Sequence, residues 1–220
     1  MRYLITILIF LMIVSLADAR TVVVVGGGVP VAGASYLHEE GFEGTGLPTG
    51  YTTTDGSPDY DNTTHNIVGA QSMYLTGTVS LTSATFTAQS DVYVAFRMKV
   101  VANANNNYAL VCVNSGGTRL GCFGVRYNGR MTASVPGDPD IGTVSTLAVG
   151  STYYIKFHYT AGTGNATVVV YSSTNGTNWT TEATRNDGTG GNADRLSWLT
   201  ENADAYSFDD IRVSATDINW

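Results

Sequence analysis

Apolar and polar side chains alternate along this chain far more often than they recur at helical spacing. In residues 153–160, Tyr153, Ile155, Phe157 and Tyr159 fall on one side and Tyr154, Lys156, His158 and Thr160 on the other, the period-2 pattern of a half-buried strand. Ala161-Gly162-Thr163-Gly164 breaks the pattern, and Val168-Val169-Val170-Tyr171 resumes it. Asn175-Gly176 then offers the positive-φ residues of a tight hairpin turn. The same reading predicts strands at 66–75, 91–101, 108–114, 119–127, 130–135, 145–149, 153–160, 167–172, 179–183, 195–199 and 206–214. Between them lie Gly, Asn, Asp, Ser and Thr, with Pro136-Gly137-Asp138-Pro139-Asp140 the clearest loop. From Leu37 to Trp220 no helix-period segment exceeds about two turns. The expectation is an all-β fold of two packed antiparallel sheets or a barrel. In residues 206–214 Phe208 and Ile211 fall on opposite faces, which predicts a bulge or a strand buried on both sides.

The cysteines sharpen one hairpin. Opposing Cys112 directly to Cys122 leaves Gly116-Gly117-Thr118 as a three-residue loop and puts Val111 and Val113 across from Phe123 and Gly121. Directly opposed residues have Cα atoms about 4.5–5.5 Å apart, within reach of a disulfide. An oxidised pair is expected, the alternative being two reduced thiols in the sheet. The histidines His38, His65 and His158 show no zinc-ligand spacing with them.

The beginning of the chain reads differently. Met1-Arg2 is basic, residues 3–16 are almost wholly apolar, and Ala17-Asp18-Ala19 is a small-x-small cleavage site, so residues 1–19 read as a secretory signal peptide. An uncleaved anchor is the alternative, and no later segment is long and apolar enough to span a bilayer. Residues 20–36 form a Val/Gly-rich segment in which Thr21-Val22-Val23-Val24-Val25 precedes Gly26-Gly27-Gly28. A dinucleotide fingerprint fails there, because Val31 stands where a glycine is needed and Pro30 where a helix would begin. A flexible linker, or a Val strand that pairs with a neighbour's sheet edge to give a homo-oligomer, fits better. Residues 37–220 are expected to be one sandwich domain.

Charge narrows the partners. The formal net charge is −7, with 11 Lys and Arg against 18 Asp and Glu. Lys99 and Lys156 are the two lysines. Without a concentrated basic surface, nucleic acid is not an expected partner, and neither is a membrane once the signal is removed. The export signal and the cysteine pair predict a secreted, extracellular protein.

Four short motifs stand in a recognisable order: Gly41-Phe42-Glu43-Gly44 with Leu47-Pro48-Thr49-Gly50-Tyr51, then Gly69-Ala70-Gln71-Ser72-Met73-Tyr74-Leu75, then FHYTAGTG with the STNGTNW hairpin, and last Phe208-Asp209-Asp210-Ile211-Arg212-Val213. Together, over residues 41–214, they resemble concanavalin A-like lectin/glucanase jelly-roll domains, including laminin G-like and carbohydrate-binding modules. The resemblance implies an antiparallel β-sandwich of jelly-roll type. It also implies a structural calcium between the first and last strands, for which Glu40, Glu43, Asp209 and Asp210 are the candidate ligands, with solvated strand-end acids as the alternative.

The glucanases of this fold carry E-x-D-x-x-E on one strand, and that spacing is absent here. The lyases use a cluster of Arg, His, Gln and Tyr, for which Arg97, His158 and Tyr154 are imaginable members, but their Q-x-H strand is absent too. Both activities are therefore less favoured than binding. A sugar site needs aromatic faces and planar polar groups. If their strands are neighbours, Tyr93, Arg97, Tyr108, Arg126, Tyr154 and His158 supply both on one outward face. The functional expectation is a non-catalytic, lectin-like domain that binds a polysaccharide or glycan. The rival from another class is a structural or assembly protein, such as a surface filament subunit or virion-associated domain, using the N-terminal strand.

Overall fold

The computed structural model describes residues 35–103, 109–126, 129–135, 141–188, 190–201 and 204–220. Residues 1–19, expected as a signal peptide, residues 20–34 of the expected Val/Gly-rich segment, Tyr108 and the expected loop at 136–140 lie outside them. Fifteen strands run through the described residues: β1 (His38–Glu40), β2 (Thr52–Asp55), β3 (Asp59–Asn62), β4 (Ser72–Thr76), β5 (Val79–Thr82), β6 (Asp91–Ala102), β7 (Ala109–Ser115), β8 (Thr118–Val125), β9 (Arg130–Ser134), β10 (Ile141–Thr146), β11 (Thr152–Thr160), β12 (Ala166–Ser173), β13 (Thr180–Gly188), β14 (Arg195–Thr200) and β15 (Ala205–Ser214). They form two antiparallel sheets. An eight-stranded sheet runs β13-β12-β11-β6-β15-β4-β3 with β1 also on β15, and a seven-stranded sheet runs β10-β9-β8-β7-β14-β5-β2.

The alternation read from the sequence decides what lies between the sheets. Val92, Val94, Phe96, Met98 and Val100 of β6 are buried, as are Ile155, Phe157 and Tyr159 of β11 and Val168 and Val170 of β12. Phe123 of the seven-stranded sheet meets Phe96 of the other edge-on at 5.6 Å, and Phe96 meets Phe208 at 5.8 Å. Aromatic contacts of this geometry add to the burial of the rings and join the two layers at their centre.

β15 changes phase in mid-strand. Tyr206 and Phe208 point inward before Asp209, and Ile211 and Val213 after it, because the register on β6 shifts between Asp209 and Arg212. Both expected alternatives hold: there is a bulge, with Asp210 at φ 51°, and the strand is largely buried on both faces. The bulge also changes the neighbour on the other side of β15, which pairs with β4 through Ala205–Phe208 and with β1 through Ile211–Val213.

Several sequence expectations need correction. Cys112 does oppose Cys122, and they are bonded, but a bulge between Val113 and Asn114 makes the β7–β8 loop the two residues Gly116 and Gly117, not three. The bulge leaves Leu120 unpaired and buries it, where strict pairing would have set it on the outer face opposite Asn114. The turn after β12 is wider than an Asn-Gly hairpin. Gly176 alone has positive φ there, and Asn175 Oδ1 accepts from the N–H groups of Thr177 and Asn178, so this side chain, rather than a two-residue turn, organises the loop. Residues 66–71 are a loop, and only Ser72–Thr76 is strand. β1, β2, β3 and β5 were not predicted: the first three are short and largely polar, and β5 is only four residues long.

Candidate functional site

The outward face of the eight-stranded sheet collects the candidate residues of β6 and β11. Tyr93 opposes His158 and Arg97 opposes Tyr154 in the β6–β11 pairing, so the four do share one surface. The Tyr93 and His158 rings stack with centroids 3.9 Å apart and planes 6° apart. His158 Nε2 also lies 2.6 Å from Asp91 Oδ1 and 3.2 Å from Thr160 Oγ1. Arg126 is not on this surface. It follows β8 in the seven-stranded sheet, where its N–H donates to the Arg130 carbonyl, so the five described candidates divide between two sheets. Tyr108 lies outside the described residues.

Residues 215–220 cross this same face and divide it into a covered and an open part. Trp220 stands edge-on to Tyr154 at 5.2 Å, with the guanidinium carbons of Arg97 and Arg212 at 5.1 and 4.4 Å from its ring. Arg97 and Arg212 share the carboxylate of Asp210, at 3.3 and 3.0 Å. Further along, Lys156 donates to Asp217 Oδ1 and to the Ile218 carbonyl, and its ammonium lies 4.7 Å from the Trp179 ring and 5.3 Å from that of Tyr171. Ile218 is buried between these two contacts. Burial raises the phenol pKa of both Tyr93 and Tyr171, and the carboxylate of Asp217 adds to the rise in each.

The alternation of β6 and β11 carried Tyr93, Arg97, Tyr154, Lys156 and His158 to this face. Tyr171 was readable by the same rule, since it pairs with Lys156 across β11 and β12. Trp179, Asp217 and Trp220 stand outside regular strands, where periodicity says nothing about direction.

The four acids proposed for calcium are otherwise engaged. β1 and β15 do pair, as the calcium expectation required. Yet Glu40 Oε1 accepts the N–H of Phe42 and Glu43 Oε2 that of Ala70, while Asp210 binds two guanidiniums. Asp209 is buried and accepts from the N–H of Val68, the hydroxyl of Ser72 and the N–H of Asp210. Three donors already point at that carboxylate, which is the surrounding of an anion rather than of a metal ligand with oxygens to spare. Burial nevertheless pushes its pKa up to about 7. Among the described residues no group of three or more His, Cys, Asp or Glu side chains is placed to hold a metal ion. As placed, these carboxylates do not share one calcium site: Asp209 and Glu43 pin residues 66–71 onto the sheet, Glu40 holds the N–H of Phe42, and Asp210 ties Arg97 to Arg212.

No family model matches the sequence, and no curated protein matches it. Solved structures do match. The luminal domain of VIP36, bound to calcium and Man3GlcNAc, superposes with a TM-score of 0.53 at 10% identity, over 80% of this chain and 87% of that one. The sandwich is a concanavalin A-like jelly roll. An engineered GH43 glycoside hydrolase with endo-xylanase and exo-arabinofuranosidase activity gives 0.58 at 11% identity over 85% of this chain, which spans 42% of that protein's length. A GH43 protein of Bacillus licheniformis gives 0.56 at 14% identity, over 81% of this chain and 39% of its own. The jelly roll is thus shared with a glycan-bound luminal domain and with parts of GH43 proteins. At these identities the likeness concerns the fold.

Proposed function

We propose that this chain is a secreted, non-catalytic carbohydrate-binding domain whose ligand lies across Tyr93, His158, Tyr171 and Trp179. The observation that supports it most is the half-buried aromatic surface on the outward face of the eight-stranded sheet, bordered by the exposed carboxylates of Asp91 and Asp217. Aromatic faces receive the apolar side of a pyranose and carboxylates accept its hydroxyls, so both halves of sugar recognition are present without a deep cavity. Secretion is supported by the basic, apolar, small-x-small start of the sequence and by the Cys112–Cys122 bond. Calcium has no part in this reading.

A glycan array with the protein from Arg20 onward tests it. Binding to at least one neutral or acidic glycan class is expected, with and without chelator. Tyr171→Ala and Trp179→Ala should each weaken it by about tenfold or more. Arg126→Ala, on the other sheet, should leave it unchanged. A polysaccharide panel should release neither reducing ends nor unsaturated products. Silence across the array removes the open aromatic surface as a binding site.

A structural or assembly role is the second reading, favoured by one observation: Trp220 and Asp217 already occupy Arg97, Tyr154 and Lys156. Removing residues 20–28 and measuring mass in solution tests it, since a fall from oligomer to monomer supports strand exchange and equal masses oppose it.

A further inference from the structure

The part of the face covered by residues 215–220 is chemically unlike the open part. In a chain of net charge −7, three of the 11 basic residues, Arg97, Lys156 and Arg212, converge beneath one six-residue segment. That segment answers their charge with one side chain, Asp217, on Lys156. Asp210, from the sheet itself, bridges the two arginines. Over the arginines lies the indole of Trp220, which has no acceptor to offer. Beneath this cover the Nε of Arg97 and the Nε1 of Trp220 are buried without a hydrogen-bond partner, and the Nε of Arg212 has only the carboxylate of Glu39, 3.6 Å away and beyond hydrogen-bond distance. Buried donors left unmade are costly, so the cover is an imperfect match for what it covers.

A better match can be specified from these groups. It has a flat ring edge to lie against Tyr154, oxygen acceptors for two guanidinium Nε–H groups, and a carboxylate for Lys156. A uronic-acid saccharide has all three: a pyranose face, ring hydroxyls and a carboxylate. We propose that the surface beneath Trp220 is a binding subsite for a carboxylate-bearing saccharide, held closed by residues 215–220, whose Asp217 carboxylate and Trp220 ring stand in for the ligand's acid and its pyranose. The proposal rests on the carbohydrate-binding reading above and extends it from the open part of the face to the covered one. Displacement of the strap leaves the sheet intact, because its contacts lie on the outward face and not between the layers.

The test compares the protein from Arg20 onward with Asp217→Asn combined with Trp220→Ala, which keeps Ile218 as an anchor, and with a second variant that stops at Thr216. Thermal melts establish which variants are folded. Titration with tetragalacturonate, cellotetraose and tetraglutamate should show tetragalacturonate binding a folded variant about tenfold more tightly than the parent. The gain should vanish when Lys156→Met or Arg97→Met is added, and should shrink with salt. No gain for tetragalacturonate in a folded variant overturns the proposal, as does an equal gain for cellotetraose or tetraglutamate. The outcome is separable from that of the carbohydrate-binding reading. Binding on the array by the parent without any gain on opening would sink only the strap, whereas silence of the parent with a gain on opening would sink only the open surface.

Discussion

The two sheets share a core but have opposite outer surfaces. Outside the eight-stranded sheet stand Tyr93, Tyr154, Lys156, His158, Arg97 and Arg212, covered in one place by residues 215–220 and in another by residues 66–71. Outside the seven-stranded sheet stand the disulfide with Ser197 and Ser134 beside it in register, and then Leu110, Gly124 and Thr132. A side chain at Gly124 would collide with Thr132 and Leu110, so this surface is close-packed from small residues. One sheet uses long polar side chains that need partners; the other is stapled. The charged cluster outside the first sheet is adjustable by pH, salt and competing ligands, whereas the patch of close packing and covalent bond at the middle of the second is not; the second sheet's titratable pair, Asp194 with Arg195, lies apart from that patch, at the start of β14.

The largest contrast should appear on titration. Asp209 has a folded pKa raised to about 7 by burial, above the ordinary 3.8, so its contribution to stability is complete below about pH 4 and is lost as pH rises through 7. The shift corresponds to about 4 kcal/mol at most. Denaturant unfolding should therefore show the fold weakening from pH 5 to pH 8, and Asp209→Asn should flatten that slope; an unchanged slope would break the assignment. On the seven-stranded sheet the sign is reversed. Asp194 is held below 3.8 by its hydrogen bonds from Arg195, with help from the N–H of Gly116, so its contribution is present above about pH 4 and lost as pH falls below it.

Next in size is the staple. Replacing Cys112 and Cys122 together by alanine should cost about 2–3 kcal/mol, equally at low and high salt, and should leave the glycan binding proposed for the other sheet unaltered. Asp217→Asn deprives the buried Lys156 of its carboxylate and should cost about 1–2 kcal/mol, less than a fully buried pair because Asp217 is half exposed. Chemical denaturation in low and high salt would show that this cost, unlike the disulfide's, is salt-dependent. Smallest is the ring stack: a double-mutant cycle on Tyr93 and His158 should return a coupling of about 1 kcal/mol, and zero coupling would mean that the two rings merely lie near each other.

Where backbone pairing fixes direction, the fold was legible. The alternation in β6 and β11 puts Phe96, Phe157 and Tyr93 on their correct faces, and the phase change between Phe208 and Ile211 signals a bulge or a strand buried on both sides. The pairing of Cys112 with Cys122 was legible for the same reason, since two residues in one hairpin fix each other's register. What was lost depends on contacts between segments distant in sequence. Arg126 shares its outward parity with many residues, and parity does not say which sheet a strand joins. Asp209 and Glu43 look like metal ligands by type, but the backbone N–H groups of a loop some 140 and 27 residues away claim their oxygens. Trp220 has no periodic neighbours at all. Its place over two arginines follows from the packing of the assembled sheet.

The three tryptophans lie in three different electrical surroundings. Trp198 is sealed in the core and stacked on Tyr51, Trp179 lies beside the ammonium of Lys156, and Trp220 lies over two guanidiniums. An excited indole responds to nearby charge and to water, so the emission spectrum of this molecule is a sum of one fixed lamp and two adjustable ones. Lifting residues 215–220 would change the second and third without touching the first, and the protein would report its own opening in the colour of its light.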